Sequence, residues 1–343
     1  MKFSTNTLLF PDNKALEKAV EHYKSLVSDD EAINVGADNR AAIADNFIYT
    51  RGNFEQHRYS ANVFDTAQAT LQALLTDELR NESPRDWAEI QNSLGNILAA
   101  LGQNLRDVDL YNQAIASFTS ALDVYNQAEF PLEWAATQSN LGTALQALGR
   151  QEADAKLLHK STDAYTAALL EYSRKETPVE WSIVMFQIGA AFHSYGMLLK
   201  GNRNLQKAVV SYKNALAELD ADLYALELTA THNNRGAVLT HLGESEDNAE
   251  RIGEAVRAYE TALTVSMEQQ LPFHLAVLIR VNKATANGII AEMTNNAVLA
   301  EEVADEFELI SACFPHALQP LCAKYCEAQL IKAKSLFGTA DSH

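Results

Sequence analysis

Residues 131–172 read PLEWAATQSNLGTALQALGRQEADAKLLHKSTDAYTAALLEY, and two helices can be counted in them without consulting any other part of the chain. Pro131 suits the first turn of a helix, where its missing N–H has no intrahelical partner. Trp134, Leu141, Leu145 and Leu148 follow at helical spacing as a single apolar stripe. Gly149 is placed to close this helix as a left-handed cap, and the polar run from Arg150 to Lys156 reads as the turn. A second helix is expected from about Leu157 to Tyr172, with Tyr165, Ala168, Leu169 and Tyr172 on one side. Gly142 and Ala168 are small where the two helices must approach, and Tyr165 fills the gap between them.

Moving outward by steps of 47 residues in either direction repeats the pattern. The chain's three tryptophans, Trp87, Trp134 and Trp181, obey that step, and Pro84, Pro131 and Pro178 each precede one of them by three positions. Gly95, Gly142, Gly189 and Gly236 keep it, as do Gly102, Gly149, Gly196 and Gly243, so eight of fourteen glycines are in register. Phe118, Tyr165, Tyr212 and Tyr259 keep it too. Glycines locked to a repeat are structural elements rather than a phosphate-cradling loop.

The Leu-Gly pair, the large residue three to four positions later, the second glycine and the small-x-x-x-aromatic-x-x-Ala run are met by Leu141, Gly142, Leu145, Gly149, Ser161, Tyr165 and Ala168. Leu94, Gly95, Leu98, Gly102, Ala114, Phe118 and Ala121 meet them again. This pattern resembles the tetratricopeptide repeat (TPR) family in a long-helix form with a 47-residue rather than a 34-residue period. The extra length is expected from an early start of the first helix at Pro-x-x-Trp and from a longer turn. The resemblance implies an all-α fold, a TPR-like α-solenoid winding as a right-handed superhelix of antiparallel helix pairs. The expected organisation is an N-terminal segment and capping helix over 1–36, then repeats over 37–83, 84–130, 131–177, 178–224, 225–271 and 272–312, then a capping helix and tail over 313–343.

Charge and composition narrow the function. With 27 basic against 45 acidic residues, the net charge of −18 disfavours phosphate backbones and anionic lipid and favours neutral or basic partners. No nucleic acid and no membrane are expected as partners: no run of about 18 apolar residues is seen to span a bilayer. The apolar patch at Leu8, Leu9 and Phe10 is too short for a secretory signal, and the reading is cytoplasmic. Three cysteines confined to the end of the chain indicate no disulfide framework. No Walker loop, Rossmann fingerprint, nucleophile elbow or His-Glu-x-x-His pair occurs, so neither an enzyme nor a cofactor is expected.

The TPR resemblance implies a concave groove lined by the first, or A, helix of each pair and suited to an extended or helical peptide. Counting 100° per residue from Leu141 places Ser139 and Thr143 opposite the apolar stripe, with Asn140 on its flank. The counterparts elsewhere are Asn46 and Tyr49, Asn92 and Asn96, Phe186, Gln187 and His193, Asn233, Asn234 and His241, and Arg280. Asn46, Asn140, Gln187 and Asn234 share one position, broken by Ser93. An amide offers both donor and acceptor and so matches a peptide main chain whatever its sequence. The competing reading is that these amides merely solvate a helix flank or bond to the neighbouring helix. A non-enzymatic adaptor that binds a protein or peptide segment in this groove is the favoured function, with oligomeric state left open.

Two other classes are weighed. A small-ligand or metal-responsive sensor would use His193 and His241, or the cluster Cys313, His316, Cys322 and Cys326, whose spacing matches no standard zinc site. An auxiliary subunit would use the convex face or a terminal helix. Arg235 stands apart, because it occupies the stripe position held by Leu94, Leu141 and Ile188. Its charge is expected either to be paired or to reach water along the seam between helices, and a structural ion pair or a displaced helix is favoured over a ligand contact.

Overall fold

A computed structural model describes residues 67–313 and 320–337, and the described residues are helical with no strand. After a short helical stretch over 67–74 the elements are α1 (Asp77–Glu82), α2 (Pro84–Leu105), α3 (Val108–Leu122), α4 (Pro131–Gln151), α5 (Ala155–Ala168) and α6 (Pro178–Leu199). They continue with α7 (Asn202–Ala215), α8 (Ala225–Glu246), α9 (Ala249–Glu268), α10 (Phe273–Thr294), α11 (Ala297–Cys313) and α12 (Pro320–Phe337). The chain forms two compact units, one ending at Leu198 and the other beginning at Leu199. The expected helix over 13–27 and most of the expected repeat over 37–83 lie outside the described residues.

In the first unit, α2 packs on α3 and α4 on α5 as helix pairs, and α2 also touches α4. Phe118 is fully buried in a cluster with Leu71, Leu94, Ile97 and Leu98. Tyr165 is fully buried with Ala135, Ala168, Val184 and Ile188. In the second unit α8 pairs with α9, α9 meets α10, and α12 packs on α11 and α10. There Tyr259 is buried with Leu239, Ile252 and Leu275, while Phe307 and Cys326 share a cluster with Val277 and Val281. Of the five fully buried aromatics among the described residues, Phe118, Tyr165, Tyr212 and Tyr259 keep the 47-residue step, and Phe307 falls one position beyond it.

The prolines open helices as expected: Pro84 and Pro131 stand in the first turn of α2 and α4. The glycine caps are a different matter. Helix α4 continues through Gly149 to Gln151, and no described glycine has positive φ. Among the described residues six are left-handed, with φ between 50° and 54°: Gln270, Asn295 and, one period apart from each other, Arg106, Ala153, Lys200 and Asp247. The next N–H in three of these turns returns to the carbonyl of the second glycine: Asp107 to Gly102 at 3.0 Å, Asp154 to Gly149 at 2.8 Å and Asn248 to Gly243 at 2.8 Å. Gly149 is small for another reason, since a Cβ there would sit 3.0 Å from both the Leu157 Cβ and the Leu158 N of α5. The hairpin turn is therefore tight, spanning Glu152 to Asp154, and helix B starts at Ala155 rather than Leu157. The long period comes from A helices of 21 to 22 residues and from the link back to the next A helix.

That return link is tied by its tyrosine. Tyr125 donates to the Arg85 carbonyl at 3.4 Å, and Tyr172, one period on, donates to the Leu132 carbonyl at 3.5 Å. The tight turn also supplies the next helix with its cap. Asp154 accepts from the N–H groups of Lys156 at 2.7 Å and Leu157 at 3.4 Å, and Asp107 does the same one period earlier for Asp109 and Leu110. Removing such a cap leaves helix N–H groups unsatisfied, so Asp154→Ala is expected to cost about 1 kcal/mol, measured by urea denaturation. An unchanged midpoint would show that the cap is not needed.

Helix α6 is, among the described residues, long and apolar enough by length and composition to cross a membrane. Its best window has a mean hydropathy of 1.3, and 56% of that window is buried within the protein.

Candidate functional site: polar seams between A helices

The seam residues are carried by the A helices. In the first unit α2, α4 and α6 carry them. The Asn140 side-chain amide donates to Asn92 Oδ1 at 3.1 Å. Ser139 Oγ donates to Gln187 Oε1 at 2.8 Å, and Gln187 Nε2 donates to Thr143 Oγ1 at 3.2 Å. Tyr165, arriving from α5, donates from its hydroxyl toward Thr143 Oγ1 at 3.2 Å and Gln146 Oε1 at 2.8 Å. Burial pushes the Tyr165 phenol far above its ordinary range, against a smaller opposing effect of the Thr143 bond, so it remains a neutral donor.

Burial sorts the candidate residues. Ser139, Asn140, Gln187, Phe186 and His193 are buried, whereas Asn92, Asn96 and Thr143 are half-buried. Asn140 and Gln187 thus bond to the adjacent A helix, which is the competing reading given above for the amides. A ligand reaching them would have to displace those bonds, each worth about 1 kcal/mol net and more if a buried partner is orphaned.

The second unit repeats the arrangement with other residues. Asn282 Nδ2 donates to Asn233 Oδ1 at 2.9 Å, and Asn233 Nδ2 donates to Asn234 Oδ1 at 3.2 Å. Asn233 and Asn234 are completely buried. His241 is half-buried with Nδ1 3.6 Å from the Glu244 carboxylate. Arg280 makes a two-pronged bond to Glu306 at 2.7 and 2.9 Å, and that bond holds its guanidinium still more firmly in the charged form. Asn282 was missed by the sequence reading. The signal was available in the step: seam partners are 48 residues apart for Asn92–Asn140 and Ser139–Gln187, and 49 for Asn233–Asn282. A residue facing the next A helix meets a position slightly offset from its own equivalent, so a search by equal positions pairs the wrong residues.

Asn46, Tyr49 and His316 lie outside the described residues, as does the side chain of Cys322. Cys313 is exposed at the end of α11, whereas Cys326 is buried in α12. Among the described residues no group of three His, Cys, Asp or Glu side chains is placed to hold a metal ion.

The favoured ion pair for Arg235 is not found: among the described residues its guanidinium meets no carboxylate. It is half-buried and follows the other course, lining a cleft between α8 and α9 together with His232. Desolvation, reinforced by the Arg235 charge, pushes the His232 imidazole down to about 4.

No protein-family model matches the chain, and no curated protein matches it either.

Proposed function

We propose that the chain is a non-enzymatic interaction module, a TPR-like array whose A helices receive a segment of a protein partner. The observation that carries this reading is the side-by-side packing of successive A helices. They are stitched by Asn92–Asn140 in one unit and Asn233–Asn282 in the other. Within each unit, repeated helices held in this way present a surface that no single pair possesses. On that surface the buried amides act as positioning groups. Contacts to a ligand fall to the half-buried Asn92, Asn96 and Thr143 in the first unit and to His241 in the second. The net charge of −18 selects a neutral or basic segment and makes association sensitive to salt.

The test begins with the partner recovered by co-purification from the native host. Against it, Asn96→Ala and His241→Ala are each expected to weaken binding about 2- to 10-fold, the effect of losing one neutral hydrogen bond, with an unchanged melting temperature. Asn140→Ala should instead lower the melting temperature, because it orphans Asn92. Unchanged affinity in both folded surface variants would sink the proposal and move the working surface to the convex face or the ends.

A further inference from the structure

The strongest chemistry outside the seams is the cleft between α8 and α9. It is an open cleft of about 290 Å³ lined by His232, Arg235, Glu254, Arg257, Ala258 and Thr261. The spacing explains why they meet. His232 and Arg235 are three apart on α8, and Glu254, Arg257, Ala258 and Thr261 follow at three, one and three on α9, so each set shares one helix face. Ala258 is small enough to leave room at the centre, and Glu254, Arg257 and Thr261 are exposed at the mouth.

Three observations point to a ligand. The first concerns pairing. Arg235 and Arg257 both line the cleft, and neither forms an ion pair among the described residues. The second is a position. Arg235 stands where Leu94, Leu141 and Ile188 build the apolar stripe, so the cleft, which leaves it half-buried, carries a charge that the other repeats lack. The third is unmet bonding capacity, since Arg235 Nε and His232 Nδ1 are both buried with no hydrogen-bond partner among the described residues. A buried donor left unmade forfeits its hydration without return.

We propose that this cleft binds an oxyanion borne on a small organic body, a phosphate monoester or a carboxylate, held between the Arg235 and Arg257 guanidiniums. Guanidinium forks suit either anion because they donate two N–H groups in one plane. The imidazole of His232, neutral at ordinary pH, adds a polar contact without a third charge. Thr261 has its hydroxyl bonded back to the Arg257 carbonyl at 3.0 Å, leaving an oxygen lone pair rather than a donor for the site. Glu254 is the one carboxylate at the rim, and its charge works against an anion, which the two guanidiniums together outweigh. The volume exceeds that of a bare inorganic ion, which is why an organic body is included. This site is independent of the peptide-binding reading and uses none of its residues.

The test is calorimetric titration of the full chain with phenyl phosphate and, separately, with citrate, at matched ionic strength, following the His232 ring resonances in parallel. Saturable one-to-one binding of either probe with movement of the His232 signals is expected. Binding by phenyl phosphate alone identifies the phosphate source, and binding by citrate alone the carboxylate. Arg257→Gln, at an exposed position, should weaken binding at least tenfold without affecting folding. Glu254→Gln should tighten it a fewfold. Arg235→Leu restores the stripe residue of the other repeats, so it should abolish binding while raising the melting temperature. Absence of saturable binding by both probes overturns the proposal. So does binding that survives Arg257→Gln and Arg235→Leu together, or an Arg235→Leu variant that retains binding.

Discussion

Gly142→Val is expected to destabilise the first unit by about 3 kcal/mol, the upper part of the range for overpacking a filled core. An added Cβ at Gly142 would lie 2.6 Å from Tyr165 Cε1 and 2.7 Å from its Cδ1, closer than real carbon contacts allow. The ring cannot swing aside cheaply, because Tyr165 is fully buried and its hydroxyl is bonded to Gln146 and Thr143. The helix-propensity gain from losing a glycine, roughly 0.5 kcal/mol or less for valine, is the smaller effect. Pairing Gly142→Val with Tyr165→Leu removes the ring that the new side chain meets, so the double variant should be less damaged than the two single losses added together. Guanidinium denaturation of the three proteins measures this. Additive losses would mean that Gly142 and Tyr165 do not form the contact.

Phe118→Ala is expected to cost about 3–5 kcal/mol, the range for deleting a buried aromatic. Phe118 has no solvent exposure and lies among Leu94, Ile97, Leu98 and Leu71, so the cavity is bounded by rigid helix–helix packing on every side. Helix packing this regular collapses poorly around a void, which puts the loss toward the upper end. The same substitution frees space above Gly95, whose Cβ would otherwise meet Phe118 Cε1 at 2.6 Å. Gly95→Ala should therefore be harmful in the native background and harmless or helpful in the Phe118→Ala background. A loss under about 1 kcal/mol for Phe118→Ala, read from the urea midpoint at unchanged slope, would contradict the burial described.

The helical class, the pair boundaries set by Pro84 and Pro131, and the burial of Phe118, Tyr165, Tyr212 and Tyr259 were all determined by sequence alone. Each follows from a local rule: proline tolerates only the first turn of a helix, and residues at a constant 47-residue step that alternate large and small must face one another. What ends the helices was not legible in the same way. The hairpin residues taking positive φ one period apart are Arg106, Ala153, Lys200 and Asp247, and of these only Asp247 is of a type that visits that conformation readily. They adopt it because the next N–H must reach back into the preceding turn, while Gly102, Gly149 and Gly243 are reserved for close approach of the next helix.

The candidate site divides along the same line. That amides recur on the A helices could be read from residue types and 100° counting. Whether Asn140 points to a ligand or to Asn92 depends on how two A helices 48 residues apart are rotated against each other, and no one-dimensional pattern carries that angle. Arg235 shows the limit most sharply. Sequence marked it as a charge on an apolar stripe. Only the tertiary structure decided that it shares a cleft with Glu254, Arg257 and Thr261 of α9 without forming an ion pair, because convergence of side chains from two helices is a property of their packing and not of either helix alone.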